Sequence, residues 1–254
     1  MQRKPQQSAG DARSSTMKQE WHTQRSVALG RDMEMMVYGH DGIPVVVFPT
    51  SQARFFEFAD RGMVSAIADK LEAGQVQLFC VDSVDSESWY NRNICAEQRI
   101  ARHLRYERYI LDEVLPFAKT QNWRTEYVAA GCSFGGFHAV NIALRHPERF
   151  RRVLSMSGAF DLQGLGFLHG YHSPEVYFNQ PLQFLPNLDD PAILDLIRRN
   201  TYVLATGVHD PCWNDNERLA AVMRAKEIPV RLDVWGDNAQ HDWPWWNRMV
   251  QVYL

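Results

Sequence analysis

After residue 20, short runs of β-branched and aromatic residues alternate with longer stretches whose apolar residues recur at helical spacing. The runs 44–48 (PVVVF) and 75–81 (QVQLFCV) have the composition of strands that are buried on both faces. Parallel strands need crossover connections, and helices of ten or more residues between strands provide them. The alternation therefore predicts an α/β fold with a doubly wound, mostly parallel sheet.

The first two predicted strands are separated by a short turn, whereas helices separate most of the later strands. Residues 21–28 and 33–38 flank Leu29-Gly30-Arg31-Asp32, which suits an antiparallel hairpin at the N-terminal end of the sheet. Further strands are predicted at 44–48, 77–81, 126–131, 152–157, 201–206 and 229–235. Helices are predicted at 55–73, 95–118, 134–145, after a capping Asp190, at 214–226 and at 243–253, with Pro116 distorting or ending the second.

Length and composition agree with one globular domain at 21–254 that carries an insertion at about 158–200. The chain has 254 residues, a net charge of -3 and 45% hydrophobic residues, which excludes disorder along its whole length. Basic residues are scattered, so no nucleic-acid partner is expected. No run of 18 apolar residues occurs, so no membrane span is expected either.

The N-terminus and the cysteines bear on the compartment of the protein. Residues 1–20 contain basic residues without an apolar stretch, so we expect a disordered tail rather than a secretory signal, with Met17 as an alternative start. The cysteines form no CxxC pair and show no metal-type spacing with histidine, which predicts free thiols, no metal and a cytoplasmic location. They are Cys80, Cys95, Cys132 and Cys212.

The most specific chemical signal is the pattern G-x-S-x-G at 131–135, which reads GCSFG. A predicted strand precedes it and a predicted helix follows it, which is the context of a turn that presents a nucleophilic serine. The glycines leave room where a strand turns directly into a helix. Ser133 is therefore expected at the positive end of a helix, close to backbone N–H groups. A glycine-rich turn with an incidental serine is the alternative.

A serine hydroxyl needs a base to take its proton, and His241 is the histidine best placed for this role. It follows the last predicted strand, at the sheet edge where the sites of such folds collect. His103 and His138 lie on predicted helices, and His172 lies in the aromatic insertion. A loop or capping role for His241 is the alternative.

The base needs a third group that holds its tautomer and offsets its developing charge. Asp210 follows the predicted strand 201–206 and fits the chain order serine, acid, histidine. Asp161, at the end of the preceding strand, is a second candidate. Asp215 is expected to cap the following helix or to be solvated.

An oxyanion needs two N–H donors. The backbone N–H of Phe134, the residue after the nucleophile, is the first. The second is expected in the loop after 44–48, where Pro49 has no N–H and leaves Ser51 or Gln52, of which we take Ser51. A glycine-rich HGGG stretch is absent from this loop.

Aromatic residues make up 12% of the chain, and many lie in the insertion. Loops of this length are usually functional or disordered, and aromatic residues argue against disorder. The insertion is therefore predicted to form a cap over Ser133 whose aromatic side chains line an acyl or aryl pocket. Phe160, Tyr171 and Tyr177 are the predicted substrate contacts.

These motifs resemble those of the esterase family of α/β-hydrolases that includes S-formylglutathione hydrolases, feruloyl esterases and mycolyltransferases. The resemblance covers about residues 21–254 and rests on GCSFGG at 131–136, on Gly207 to Asp210, and on HDW at 241–243 with Trp246. It implies an α/β-hydrolase domain with Ser133 as nucleophile, Asp210 as acid and His241 as base.

The leading hypothesis is a serine esterase that cleaves a small-molecule carboxylic ester through an acyl-enzyme intermediate, with no cofactor. An acyltransferase that passes the same acyl group to an alcohol or thiol is the first alternative. A non-catalytic binding protein that keeps the fold is the second, and the presence of a serine, an acid and a histidine in the required order argues against it.

Overall fold

The computed structural model describes residues 17–168, 170–236 and 238–254, and eight strands lie within these residues. The strands are β1 (Gln19–Arg25), β2 (Asp32–Tyr38), β3 (Ile43–Phe48), β4 (Val76–Val81), β5 (Tyr127–Cys132), β6 (Phe150–Met156), β7 (Thr201–Gly207) and β8 (Val230–Trp235). Strands β4 and β5 are buried along their whole length, as their β-branched and small apolar residues predict.

The strands form one sheet in the order β1-β2-β4-β3-β5-β6-β7-β8. Strand β1 pairs antiparallel with β2, and β2 pairs antiparallel with β4. All remaining neighbours are parallel. The prediction of a doubly wound, mostly parallel sheet with an N-terminal antiparallel hairpin is confirmed.

Helices cover both faces of this sheet. In chain order they are α1 (Glu57–Asp60), α2 (Met63–Ala66), α3 (Ala68–Glu72), α4 (Ala96–Tyr109), α5 (Leu115–Gln121), α6 (Phe134–Arg145), α7 (Pro174–Tyr177), α8 (Pro181–Phe184), α9 (Pro191–Arg198), α10 (Trp213–Ala225) and α11 (Trp243–Tyr253). Helices α1, α2, α3 and α11 bury their apolar side chains in one core, and α4, α5, α6 and α10 bury theirs in the other. None of the helices in the described residues is long and apolar enough to cross a membrane.

The helix predicted at 55–73 was wrong in detail, and of the two effects predicted for Pro116 the structure shows a distortion of the helix and not its end. The single helix predicted at 55–73 is three short helices, because Gly62 adopts the left-handed conformation with φ 83° and ends the first of them. Pro116 does not end the long helix that includes α4. A π-helical segment, Ile110–Val114, precedes the proline, and the helix continues as α5 with Pro116 in the first turn of that helix.

The ends of the predicted domain can be compared with the structure only in part. Residues 1–16 of the predicted tail lie outside the described residues, whereas Gln19 and Glu20 already belong to β1. The insertion follows β6 and contains α7, α8 and α9. The capping role predicted for Asp190 is confirmed, since its carboxylate accepts the N–H groups of Ala192 and Ile193.

Polar side chains fasten the insertion to the rest of the domain. The Oδ2 atom of Asp215, in α10, accepts the N–H groups of Phe160 at 2.9 Å and Asp161 at 2.8 Å. Further along, the buried amide oxygen of Asn179 accepts from Asn141 of α6 and lies 2.9 Å from Nε2 of His103 of α4. The insertion therefore lies against α4, α6 and α10.

Candidate active site

Ser133 lies at the turn between the buried strand β5 and helix α6. Its backbone has φ 55° and ψ -122°, a conformation that L-residues rarely adopt and that is found at functional sites. A Cβ at Gly131 would overlap the backbone of Gly135, and a Cβ at Gly135 would overlap the carbonyl oxygen of Phe48. The glycines of the motif are thus required by the close approach of β3, β5 and α6.

Ser133 and its neighbour Cys132 have different surroundings, although both are nucleophilic residue types. Cys132 is 2% exposed, and burial raises the pKa of its thiol well above its ordinary value. It is therefore an inert thiol of the core. The side chain of Ser133 is partly exposed and bonded to a histidine, so the serine is the residue that a substrate can reach.

Three side chains from three loops meet at the carboxyl ends of the strands. Nε2 of His241 lies 2.9 Å from Oγ of Ser133, and its Nδ1 lies 3.0 Å from Oδ1 of Asp210. Asp210 follows β7, and His241 lies between β8 and α11. The structure thus brings together Ser133, Asp210 and His241, which the sequence analysis predicted to lie at the ends of different strands.

The environment of Asp210 keeps its carboxyl group ionised. Burial acts to raise its pKa, but hydrogen bonds from His241 and Ser157, the charge of His241 and the N–H of Cys212 outweigh burial, so the pKa lies below its ordinary value. The ionised carboxylate of Asp210 accepts a hydrogen bond from Nδ1 of His241. The Nε2 atom of the neutral ring is then the acceptor that faces the hydroxyl of Ser133.

The ring of His241 is held by α11 as well as by Asp210. The indole of Trp246 meets it edge-on, with the ring centroids 4.9 Å apart, and Nε1 of Trp246 donates to Oγ of Ser157 at 2.8 Å. Trp246 thereby links the ring of His241 to Ser157, the residue directly after β6.

The alternative acids lie elsewhere. The carboxylate of Asp161 accepts the N–H of Gly164 and pairs with Arg218, and neither contact involves His241. Asp215 holds the start of the insertion, as described above, and does not cap α10 through its own side chain. Asp210 is therefore the acid that the geometry favours.

Two backbone N–H groups near Ser133 are candidates for an oxyanion hole. Phe134 is the first residue of α6, so its N–H has no partner within the helix. Within the described residues, neither this N–H nor that of Ser51 donates to another protein atom. Gln52, by contrast, donates its N–H to Asp85. Of the two residues that the sequence left open, this geometry favours Ser51.

Sequence reasoning missed two residues beside this loop. The hydroxyl of Tyr90 donates to Oγ of Ser51 at 2.6 Å, and Asp85 accepts the N–H of Gln52 at 3.3 Å. Both belong to the segment DSESWY at 85–90, just after β4. Its position after the carboxyl end of a buried parallel strand was the signal that could have identified it.

The predicted substrate contacts in the insertion occupy different environments. Phe160 is 1% exposed and packs in the core, which favours a structural role for its ring. Tyr171 and Tyr177 are partly buried, and Tyr177 lines a cavity of about 470 Å³ within the insertion that does not include Ser133 among its lining residues. The ring of Phe167, also in the insertion, packs on those of Tyr90 and Phe134, beside the turn that carries Ser133.

One group of possible metal ligands occurs within the described residues. Donor atoms of Asp210, Cys212 and His241 lie within 4.8 Å of one another. Both ring nitrogens of His241 already make hydrogen bonds. Burial and the charges of Asp210 and Asp215 raise the pKa of the Cys212 thiol to about 12, so it is protonated. This donor set does not fit a resident metal ion.

The order of the strands, the position of the serine turn and the placement of acid and histidine at later strand ends define an α/β-hydrolase of the serine type. The chain belongs to the family described as "Putative esterase", whose model matches residues 26–254. This membership indicates that the protein is a carboxylic-ester hydrolase. No protein of curated function matches the sequence.

Solved structures agree with this fold at low sequence identity. A ferulic acid esterase superposes with a TM-score of 0.76 at 17% identity, covering 94% of this chain and 96% of the other. An S-formylglutathione hydrolase from Agrobacterium tumefaciens gives 0.70 at 16% identity, covering 93% of both chains. A fluorophosphonate-binding serine hydrolase from Staphylococcus aureus gives 0.69 at 14% identity, covering 93% and 96%.

Proposed function

We propose that the protein hydrolyses a small-molecule carboxylic ester through a Ser133–His241–Asp210 triad and a covalent acyl-enzyme. The observation that carries this proposal is the continuous chain of hydrogen bonds from Asp210 through His241 to Ser133 at the carboxyl end of the sheet. A serine hydroxyl alone is a weak nucleophile, and this chain supplies both the base and the group that orients it.

In the first half-reaction, Oγ of Ser133 attacks the ester carbonyl carbon while Nε2 of His241 takes the hydroxyl proton. The carbonyl oxygen becomes the oxyanion of a tetrahedral intermediate. When this intermediate collapses, the bond to the alkoxy oxygen breaks, and His241 returns the proton to the leaving alcohol. Asp210 stays ionised throughout and stabilises the transient imidazolium.

In the second half-reaction, water takes the place of the alcohol. His241 accepts a proton from the water as its oxygen attacks the acyl carbon. When the second intermediate collapses, the bond to Oγ of Ser133 breaks, His241 returns the proton to that oxygen, and the carboxylic acid is released. The N–H groups of Phe134 and Ser51 are proposed to hold the oxyanion in both steps, where each donor acts on charge that develops only at the transition state.

For the acyl side of the site we propose a wall made by Tyr90 and Phe167. Their ring centroids lie 4.7 Å apart, and both rings pack against Phe134, which carries one of the proposed donors. This wall places the contribution of the insertion at Phe167 rather than at the buried Phe160. Contacts of Tyr171 and Tyr177 with substrate, and the cytoplasmic location, stay predictions.

The test is the variant Ser133→Ala. It should abolish turnover of p-nitrophenyl acetate and labelling by a fluorophosphonate probe, because both reactions need the serine oxygen. The thermal unfolding midpoint should stay within a few degrees of the wild-type value, since only one partly exposed oxygen is removed. Retained turnover at the wild-type rate would refute the triad.

A matched control tests whether the loss of activity is specific to Ser133 or follows from the replacement of any serine. Ser65→Ala changes an exposed serine of α2 and should leave both labelling and turnover at wild-type values. Adding ethanol to the assay distinguishes hydrolysis from acyl transfer. Acid should be the main product, whereas an excess of the ethyl ester would favour the acyltransferase alternative.

A further inference from the structure

Asp85 is a buried carboxylate whose two oxygens serve different parts of the proposed site. It is 0% exposed and lies in the 3₁₀ turn Asp85–Glu87 after β4. Its Oδ2 accepts the N–H of Gln52, in the loop that carries Ser51. Its Oδ1 lies 2.9 Å from Nε2 of His138, on the helix that begins at Phe134. A single side chain thus connects the loop that contains Ser51 with the helix that begins at Phe134, the two segments that contain the proposed oxyanion donors.

The loop that carries Ser51 needs such a support. Gln52 has φ 58°, in the left-handed region that residues other than glycine rarely adopt, and such conformations cost about 1–3 kcal/mol unless their surroundings fix them. Its N–H bond to Asp85 is one restraint, and the bond from the Tyr90 hydroxyl to Oγ of Ser51 is another. The N–H of Tyr90 also donates to the carbonyl oxygen of Asp85, so both restraints come from one folded segment.

His138 is rigidly placed on the other side of Asp85. Its ring is 3% exposed, lies stacked on Phe48 and His103, and meets Phe134 edge-on. With the ring enclosed in this way, Nε2 points at Asp85 and ties that carboxylate to α6. The bond has no role in moving a proton to or from Ser133, because His138 has no contact with the triad.

We propose that Asp85 and His138 are positioning residues of the ester hydrolysis, which fix the N–H of Ser51 relative to the N–H of Phe134. The inference rests on the proposed function, since it assumes that these two groups hold the oxyanion. Oxyanion donors act only when they point at the place where charge develops, and removing one costs about 10²–10³-fold in kcat. A loop that is free to shift by about 1 Å loses a comparable part of that stabilisation.

The first test is Asp85→Asn. The amide keeps the size of the side chain but offers one acceptor where the carboxylate offers two, so one of its two bonds is lost. We expect kcat to fall about 10–100-fold with KM changed less than threefold. A trifluoromethyl ketone, whose adduct with Ser133 carries an oxyanion, should lose affinity by the same factor. Product-acid affinity should be unchanged.

A second pair of variants keeps the proposal testable if Asp85→Asn does not fold. His138→Gln retains a donor near the position of Nε2, whereas His138→Phe retains the shape and removes the donor. Activity and ketone affinity should be kept within about threefold in the glutamine variant and lost in the phenylalanine variant. Equal activity of the two variants would overturn the proposal.

The matched control is Glu107→Gln. Glu107 is another buried carboxylate that binds α6, but at its far end through Arg145 and His146. This variant should lower the unfolding midpoint and leave kcat and ketone affinity unchanged. If it lowers kcat as much as Asp85→Asn does, the effect of Asp85 is one of stability alone and the proposal fails.

The two proposals fail in distinguishable ways. If Ser133→Ala retains turnover, the triad is wrong. If Ser133→Ala is inactive while Asp85→Asn and His138→Phe keep wild-type kcat and ketone affinity, the triad stands and the positioning role is wrong.

Discussion

Among the residues that the structure describes, two aspartate–histidine pairs have similar geometry and different surroundings. In the outer pair, Nδ1 of His241 lies 3.0 Å from Asp210, and the other ring nitrogen meets a partly exposed serine. In the inner pair, Nε2 of His138 lies 2.9 Å from Asp85, both side chains are buried, and the ring of His138 is stacked on Phe48. We therefore propose that the same two residue types serve a reacting atom in one place and the positioning of a loop in the other.

The comparison shows that contact with an aspartate does not by itself make a histidine a catalytic base. What matters is whether the second ring nitrogen faces a group that a substrate can reach. His241 stands in a loop at a strand end, where its side chain is 24% exposed. His138 stands inside α6, where Phe48, Phe134 and His103 enclose it.

The largest difference between the pairs should appear in Asp210→Asn. An asparagine favours the wrong tautomer of His241, and the corresponding change in serine proteases lowers kcat about 10⁴-fold. We expect a loss of about 10³–10⁴-fold in kcat for p-nitrophenyl acetate with a small change in the thermal midpoint. If Asp85→Asn lowered kcat more than Asp210→Asn, the roles of the two pairs would be reversed.

Low pH should lower the free energy of unfolding through His103, the neighbour of the inner pair. Burial, the largest cause, and the charge of His138 lower the pKa of His103 to about 4. The unfolded chain binds a proton near pH 6.5 and the folded chain does not, so stability is lost as the pH falls from about 6.5 towards 4. Between pH 7 and pH 4.5 the loss from this residue is about 2 kcal/mol.

Urea unfolding at the two pH values measures this loss. The control is His103→Gln, which keeps a hydrogen-bonding side chain for Asn179 but cannot bind the proton. Its unfolding free energy should depend on pH by about 2 kcal/mol less than that of the wild type. An unchanged pH dependence would show that the buried histidines do not set the acid sensitivity of the fold.

The smallest effect is expected from Tyr90→Phe. Burial raises the pKa of Tyr90, so its hydroxyl is protonated and donates to Oγ of Ser51. Removing one such bond costs about 0.5–1.5 kcal/mol, which corresponds to about 3–10-fold in kcat with KM unchanged. A loss confined to KM would indicate that Tyr90 acts on substrate binding and not on the loop.

Much of the fold follows from the sequence because local patterns decide it. The buried run PVVVF, the turn after β1 and the strand–turn–helix around Ser133 each specify their own structure. The errors came where a backbone detail decides the outcome. Gly62 broke a predicted helix by its left-handed conformation, and a π-helical segment allowed the helix to continue through Pro116.

The candidate site was predictable to the extent that its residues follow strand ends. Ser133, Asp210 and His241 each stand directly after a strand or in the loop beyond it, so the topology alone brings them together. Asp85, Tyr90 and Phe167 were missed because their importance depends on which loop they touch. The long-range contacts that place them beside Ser51 and Phe134 leave no periodic pattern in the sequence.

The fastening of the insertion has a consequence for protein engineering. Asp215 holds its beginning at Phe160 and Asp161, and Asn179 holds its middle against α4 and α6. Between these two anchor points Gly166 and Gly170 have φ angles of 73° and 74°, which residues with a side chain rarely adopt, although a Cβ at either would have open space. A graft in this stretch that keeps Gly166, Phe167 and Gly170 can therefore introduce new substrate preferences while Asp215 and Asn179 still hold the insertion in place.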